Sequence, residues 1–149
     1  MKIFLKIFLV ILISAVFFLD SCGRSGQENI ADITDEVEIS ILSFSPEGIT
    51  IIYTNNSETE FTYGGEFSLQ VYKGKKWKDV SAVNGAEWSQ DDWGKEIEPG
   101  ETSESETYNW EWYYGSLSSG KYRFLAVLNY NNGNENKNIT AASDTFTIP

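Results

Sequence analysis

Gly120-Lys121-Tyr122-Arg123-Phe124-Leu125-Ala126-Val127-Leu128-Asn129-Tyr130 is the stretch on which the fold turns. Its period is two: Tyr122, Phe124, Ala126, Leu128 and Tyr130 point one way, and Arg123, Leu125, Val127 and Asn129 the other. Such alternation describes a β-strand with one face in a core. Asn131-Asn132-Gly133-Asn134 follows as a hairpin turn, since Asn-Gly suits positive φ. The next strand is predicted from about Ile139 to Ile148, with Phe146 and Ile148 on one face.

The same period recurs upstream. Val37, Ile39 and Ile41 alternate with Glu38, Ser40 and Leu42, and Ser45-Pro46-Glu47-Gly48 supplies a turn. Ile49, Ile51 and Tyr53 then alternate with Thr50, Ile52 and Thr54, until Asn55-Asn56-Ser57 stops the strand. Phe67, Leu69 and Val71 mark a third strand, and Lys73-Gly74-Lys75 turns into a fourth around Trp77, Asp79 and Val80. Pro99-Gly100-Glu101 introduces a polar strand from Thr102 to Trp110 with the composition of an edge or of a largely solvated face. No convincing amphipathic helix interrupts these segments. About seven antiparallel strands in a domain of this size predict an all-β fold, an immunoglobulin-like antiparallel β-sandwich.

Leu117, Gly120 and Tyr122 sharpen that expectation. Their spacing resembles the tyrosine corner of immunoglobulin and fibronectin type III domains, in which the phenol bonds back to the preceding loop. The other reading of Tyr122 is a plain core aromatic; both are structural. The wider pattern is Tyr63-Gly64-Gly65-Glu66-Phe67-Ser68-Leu69, Trp77 after the Lys-Gly-Lys turn, Pro99-Gly100-Glu101, and Tyr114-Gly115-Ser116-Leu117-Ser118-Ser119-Gly120-Lys121-Tyr122-Arg123. Together these resemble the bacterial immunoglobulin-like domain found in many small secreted lipoproteins, over roughly Val37 to Tyr130. The resemblance implies a β-sandwich at the cell surface or in an envelope compartment, and it brings no catalytic residues.

The N-terminus carries an address. Lys2 and Lys6 precede an apolar run of 13 residues from Ile7 to Leu19, broken only by Ser14. A spanning helix needs about 20 such residues, so the run reads as a secretory signal. Leu19-Asp20-Ser21-Cys22 at its end resembles the bacterial lipobox, although Asp20 departs from the small or apolar residue usual there. By that resemblance Cys22 takes a diacylglycerol thioether and becomes the mature N-terminus. The other readings are an ordinary secretory signal with a stray thiol and a buried free cysteine acting as a small hydrophobe. The expected organisation is a lipoprotein signal peptide over residues 1–21, a lipidated flexible tether over 22–35 and the sandwich over 36–149. The Gly, Ser, Gln, Asn and acid content of the tether cannot offset its ordering entropy, and its root-mean-square reach is roughly 20 Å.

Composition excludes several chemistries. The 149 residues include no histidine and one cysteine, so Ser-His-Asp and Cys-His nucleophiles, imidazole metal ligation and an internal disulfide are all out of reach. The formal charge is −11, and losing residues 1–21 takes away Lys2, Lys6 and Asp20 to leave −12. Such a balance opposes nucleic-acid binding, which rests on Lys and Arg neutralising phosphates.

Residues 87–112 hold the remaining candidates: nine acids from Glu87 to Glu111, one base, Lys95, and four of the five tryptophans, Trp88, Trp93, Trp110 and Trp112. Three functional readings arise. Paired carboxylates could serve a small hydrolase, but that requires two acids across a cleft with one pKa raised by burial. Calcium could be held by clustered carboxylates, yet Asp91-Asp92 lacks the Asp-x-Asp-x-Asp-Gly pattern of a dedicated loop. Exposed Trp88, Trp93, Trp112 and Tyr113 could form a binding face, because such rings stack on sugars or anchor protein interfaces. Against this, alternation places Tyr108, Trp110 and Trp112 on one face as a core wall, and Trp77 is expected to pack in the core.

The expectation is a non-enzymatic lipoprotein, lipid-anchored through Cys22 to the outer face of a membrane with its domain extracytoplasmic. That domain serves protein binding or a structural role; the alternative is a carbohydrate-binding module using the tryptophans of residues 87–112. No cofactor, metal site or nucleic-acid partner is expected.

Overall fold

The computed structural model describes residues 33–83, 94–131, 133 and 136–149. Cys22, Trp88, Trp93, Glu87, Asp91 and Asp92 lie outside the described residues, as do the signal and most of the tether.

The described elements are β1 (Ile33–Ser45), β2 (Gly48–Asn55), β3 (Phe61–Lys73), β4 (Lys76–Asp79), β5 (Lys95–Ile97), β6 (Glu106–Asn109), α1 (Glu111–Tyr114), β7 (Gly120–Asn131), β8 (Asn136–Ser143) and β9 (Phe146–Ile148). Hydrogen bonding links them in the order β4-β3-β7-β8-β1-β2-β6, with β5 on β3 and β9 on β7. The path folds over on itself as an Ig-like β-sandwich. One layer is β4-β3-β7-β8 and the other is β1-β2-β6. β1 joins them, antiparallel to β2 on one side and parallel to β8 on the other, where Ile33 faces Thr140 and Ile39 faces Ser143.

The core is the set of inward positions that the alternation defines. Ile49, Ile51 and Tyr53 of β2 are buried, as are Phe67, Leu69 and Val71 of β3 and Tyr122, Phe124, Ala126 and Leu128 of β7. Rings bridge the layers, Phe67 lying 5.1 Å from Tyr108 and Tyr53 4.4 Å from Tyr63, while within one layer Phe67 stacks 5.1 Å from Phe124. Burying apolar area of this kind, at about 25 cal/mol per Å², is what holds a chain without a disulfide together.

Several expectations shift. β1 begins at Ile33, before the expected domain start at Glu36. β3 begins at Phe61 and passes an irregularity, because Tyr63 pairs with Leu128 and Phe67 with Ala126, which sets Gly64, Gly65 and Glu66 opposite Val127 alone. The two glycines accommodate that bulge. The strand expected from 139 to 148 is two: β8 leaves off at Ser143, whose Oγ accepts from Phe124 N at 3.0 Å, and β9 resumes at Phe146. Of the polar strand from Thr102 to Trp110 only Glu106–Asn109 pairs fully, at the sheet edge as expected, with Thr102 in a lone bridge to Thr54. Trp77 is outside the core. It sits half-buried on the outer face of β4, because β4 pairs in the register that sets Trp77 beside Tyr72, away from Val71.

At the mouth of β7, Tyr122 Oη donates to the Ser118 carbonyl at 2.8 Å, and Leu117 is buried beneath. A Cβ on Gly120 would come within 3.1 Å of the Tyr122 ring, which accounts for a residue without one at that position.

Candidate functional site

The turn after β6 decides the fate of the aromatic run. Trp110 is fully buried, its Nε1 donating to the Pro46 carbonyl at 2.9 Å, and Pro46 O also accepts from Leu117 N at 2.8 Å. From Glu111 the backbone turns helical, with Tyr114 N and Tyr113 N both donating to the Trp110 carbonyl. Helical rotation ends the period of two, so Trp112 does not join Tyr108 and Trp110 in a core wall. Its side chain is 53% exposed, edge-on to Tyr113 at 5.4 Å, while Tyr113 packs partly against the core and Tyr114 is buried. Burial, followed by the neighbouring Tyr113, pushes the Tyr114 phenol up to about 12. Of the four candidate contact residues, the structure places Trp112 and Tyr113 side by side.

The acids divide. Glu106 on β6 is held by Lys95 on β5, Nζ donating to its two oxygens at 2.6 and 2.9 Å, and Tyr63 Oη donates to it at 3.2 Å. These three, with Gly64, Gly65, Thr107 and Tyr108, line a shallow cavity of 170 Å³. Glu106 is the one carboxylate in that lining, and it is neutralised by Lys95, so the cavity does not offer the facing pair that glycoside hydrolysis needs. Glu60, Glu96 and Glu98 stand together at the other end of β5, where Glu96 above all raises the Glu60 pKa by like-charge repulsion. Among the described residues no group of three or more Asp, Glu or Cys side chains is arranged to hold a metal ion. A second, more open hollow of 270 Å³ lies over β1, β2 and β6, with Phe44, Thr50, Thr107 and Asn109 in its lining.

Among the described residues three buried polar ones, Asn55, Gln70 and Ser143, are not marked as such by the local pattern. Asn55, read as a strand stop, is fully buried; Nδ2 donates to the carbonyls of Thr59 and Ile97 at 2.7 and 3.0 Å, and Oδ1 accepts from Ser57 N and Oγ. The Asn-x-Ser spacing of a side-chain turn was visible; the reach to Ile97, 42 residues on, was not.

The layered strands agree with the comparison of families, in which the model for a bacterial Ig-like domain matches residues 31–143. The chain belongs to the bacterial Ig-like domain family. The match takes in both layers up to Ser143 and leaves β9 outside it. Ig-like domains are binding and structural modules in kind. Among curated proteins no relative matches. Among solved structures, the Ig-like chain is similar to the archaellum periplasmic stator protein FlaG from Sulfolobus acidocaldarius, at 14% identity, over 71% of this chain and 98% of that one, with a TM-score of 0.34. So distant a likeness transfers no role.

Proposed function

We propose that the protein is a membrane-anchored surface lipoprotein whose Ig-like domain serves protein binding or a structural role in the envelope. The observation that carries this reading is the position of the only cysteine, directly behind a short apolar run in Leu19-Asp20-Ser21-Cys22 and a short polar stretch ahead of the Ig-like domain. Two or three acyl chains at Cys22 would give stable anchoring, since each buried CH₂ contributes about 0.8 kcal/mol. Family membership supports the modular role, and the exposed Trp112 beside Tyr113 supplies a surface of the type that anchors protein contacts. The same exposed ring favours carbohydrate binding through the 87–112 region as the second reading.

Cys22→Ala tests the anchor. The variant should leave the membrane fraction and lose the lipid-dependent mass shift, and continued retention would overturn the assignment. Crosslinking of the full chain on intact cells, followed by Trp112→Ala, tests the contact surface. Titration with a panel of neutral cell-wall glycans, read by tryptophan emission, tests the second reading; a flat response removes it.

A further inference from the structure

The bases of this acidic chain are concentrated. Lys73, Lys75, Lys76 and Lys78 occupy the β3–β4 hairpin, and Lys121 and Arg123 stand next to it at the start of β7. Of the 11 bases these are six, in a chain whose formal charge is −11. The register places Gln70, Tyr72, Trp77, Asp79, Lys121 and Arg123 on one outward face of β4-β3-β7.

Arg123 is the built part of that face. Its Nε and Nη2 both donate to Gln70 Oε1, at 2.9 and 2.6 Å, and the guanidinium lies over the Trp77 ring at 4.6 Å. Gln70 is only 2% exposed and is itself fixed, Nε2 donating to Asp79 Oδ1 at 2.7 Å. Asp79 is thus spent on the amide. Among the described residues Arg123 has no carboxylate within ion-pairing distance, although it is half-buried, and burial lowers its pKa. A neutral amide and a ring orient the cation, and Asp79 acts on it only through space, from beyond the amide it holds. Beside it Tyr72 is 44% exposed, edge-on to Trp77 at 5.2 Å, with Lys121 Nζ 6.0 Å from its ring.

An oriented guanidinium with unspent N–H donors is shaped for a planar carboxylate, and an exposed tyrosine ring for the face of a sugar. An acidic peptide could gain main-chain hydrogen bonds at this face only along the β4 edge. That edge is four residues long and lined by lysines, a composition that blunts strand addition. The face also lies at the Gly120 end of the sandwich, whereas β1 enters at Ile33 towards the Asn55 end, so it points away from the N-terminal side of the fold. We infer that the outer face of β4-β3-β7 binds an acidic polysaccharide, a sugar chain bearing carboxylates. Its carboxylate pairs with Arg123 and Lys121 while a sugar ring stacks on Tyr72; Lys73, Lys76 and Lys78 share the face of Val71 across the hairpin and add only to the surrounding positive field. The site is separate from residues 87–112 and does not depend on lipid at Cys22.

The test is calorimetric titration of the full chain with polygalacturonate, with its methyl-esterified form, with inorganic polyphosphate, with polyglutamate and with phosphatidylglycerol vesicles. Polygalacturonate should bind and the ester should not. Tyr72→Ala and Lys121→Ala, both at exposed positions, should each weaken binding about tenfold, the size of one lost charge-assisted or stacking contact. Arg123→Lys, which keeps the charge and loses the fork, should weaken it as well. The inference is overturned by no binding, or by polyphosphate binding as tightly with no effect of Tyr72→Ala, which marks a diffuse cationic patch. It is equally overturned by tighter binding of polyglutamate, or by vesicle binding that these substitutions reduce in the absence of glycan binding.

Discussion

Asn55 Nδ2 donates to the Ile97 carbonyl at 3.0 Å, which fastens the end of β2 to β5 across the sandwich. All the polar atoms of this buried amide are used, two donors on carbonyls and one oxygen on Ser57. Asn55→Ala strands the buried Ile97 carbonyl, leaves Thr59 O with Ser57 Oγ alone and opens a cavity; a loss of about 2–4 kcal/mol is expected, read as a lower denaturant midpoint. Asn55→Asp, equal in size, should cost at least as much, because its carboxylate would face the same two carbonyls. Unchanged stability of both variants would show the amide to be dispensable.

Tyr122→Phe removes one hydroxyl from the corner. The Ser118 carbonyl loses its partner at 2.8 Å while the ring stays in place. A loss of about 1–2 kcal/mol follows from a net hydrogen bond of this type. Gly120→Ala should add a smaller loss, since its Cβ would press the same ring at 3.1 Å. Because the two changes act on one contact, their effects should fall short of additivity in a double-mutant cycle.

Trp110 and Trp112 stand two residues apart and should respond in opposite ways. Trp110→Ala empties a fully buried site and takes from the Pro46 carbonyl one of its two donors, a loss of about 3–5 kcal/mol. Trp112→Ala removes an exposed ring and should move stability by less than about 0.5 kcal/mol. Thermal melts followed by circular dichroism distinguish the two, and equal losses would contradict the helical turn at Glu111.

Alkaline stability should follow the buried phenols. Burial raises Tyr114 to about 12 and holds Tyr53 well above the ordinary value of 10.0. Between those limits the folded chain keeps protons that the unfolded chain has released, so stability falls as pH rises through that window and is fully present below it. Tyrosinate absorbance should therefore rise together with loss of near-ultraviolet dichroism. Tyr114→Phe should flatten the decline, and an unchanged slope would count against the shift.

Much of the sandwich was legible because its alternation is strict. In β7 every second residue from Tyr122 to Leu128 is buried, and the turn residues around Gly48 and Gly74 stand where the strands reverse. What escaped was decided by distant neighbours. β5 is three residues long and exists because β3 offers it Phe61 to Tyr63, a pairing no local pattern announces. Leu42 faces outward with Glu38 and Ser40 as the alternation has it, but the bulge that follows between Ile41 and Ser43 has no mark in the pattern. Trp77 read as core on residue type alone, whereas cross-strand register placed it under Arg123. At the candidate site, the aromatic density of residues 110–114 was visible, but the division into buried Trp110 and exposed Trp112 depended on one turn of helix. The relay from Arg123 through Gln70 to Asp79 joins three strands and had no signature in any of them.

The strap formed by β1 has a mechanical consequence. β1 enters near Thr140 and runs towards Gly48, while β9 leaves the fold beside Gly120, so the two termini of the sandwich emerge towards opposite ends. Tension applied between them pulls β1 along its own axis, against β2 on one side and β8 on the other. The bonds of both ladders then carry the load together in shear, whereas a strand peeled from its end gives up its bonds one after another.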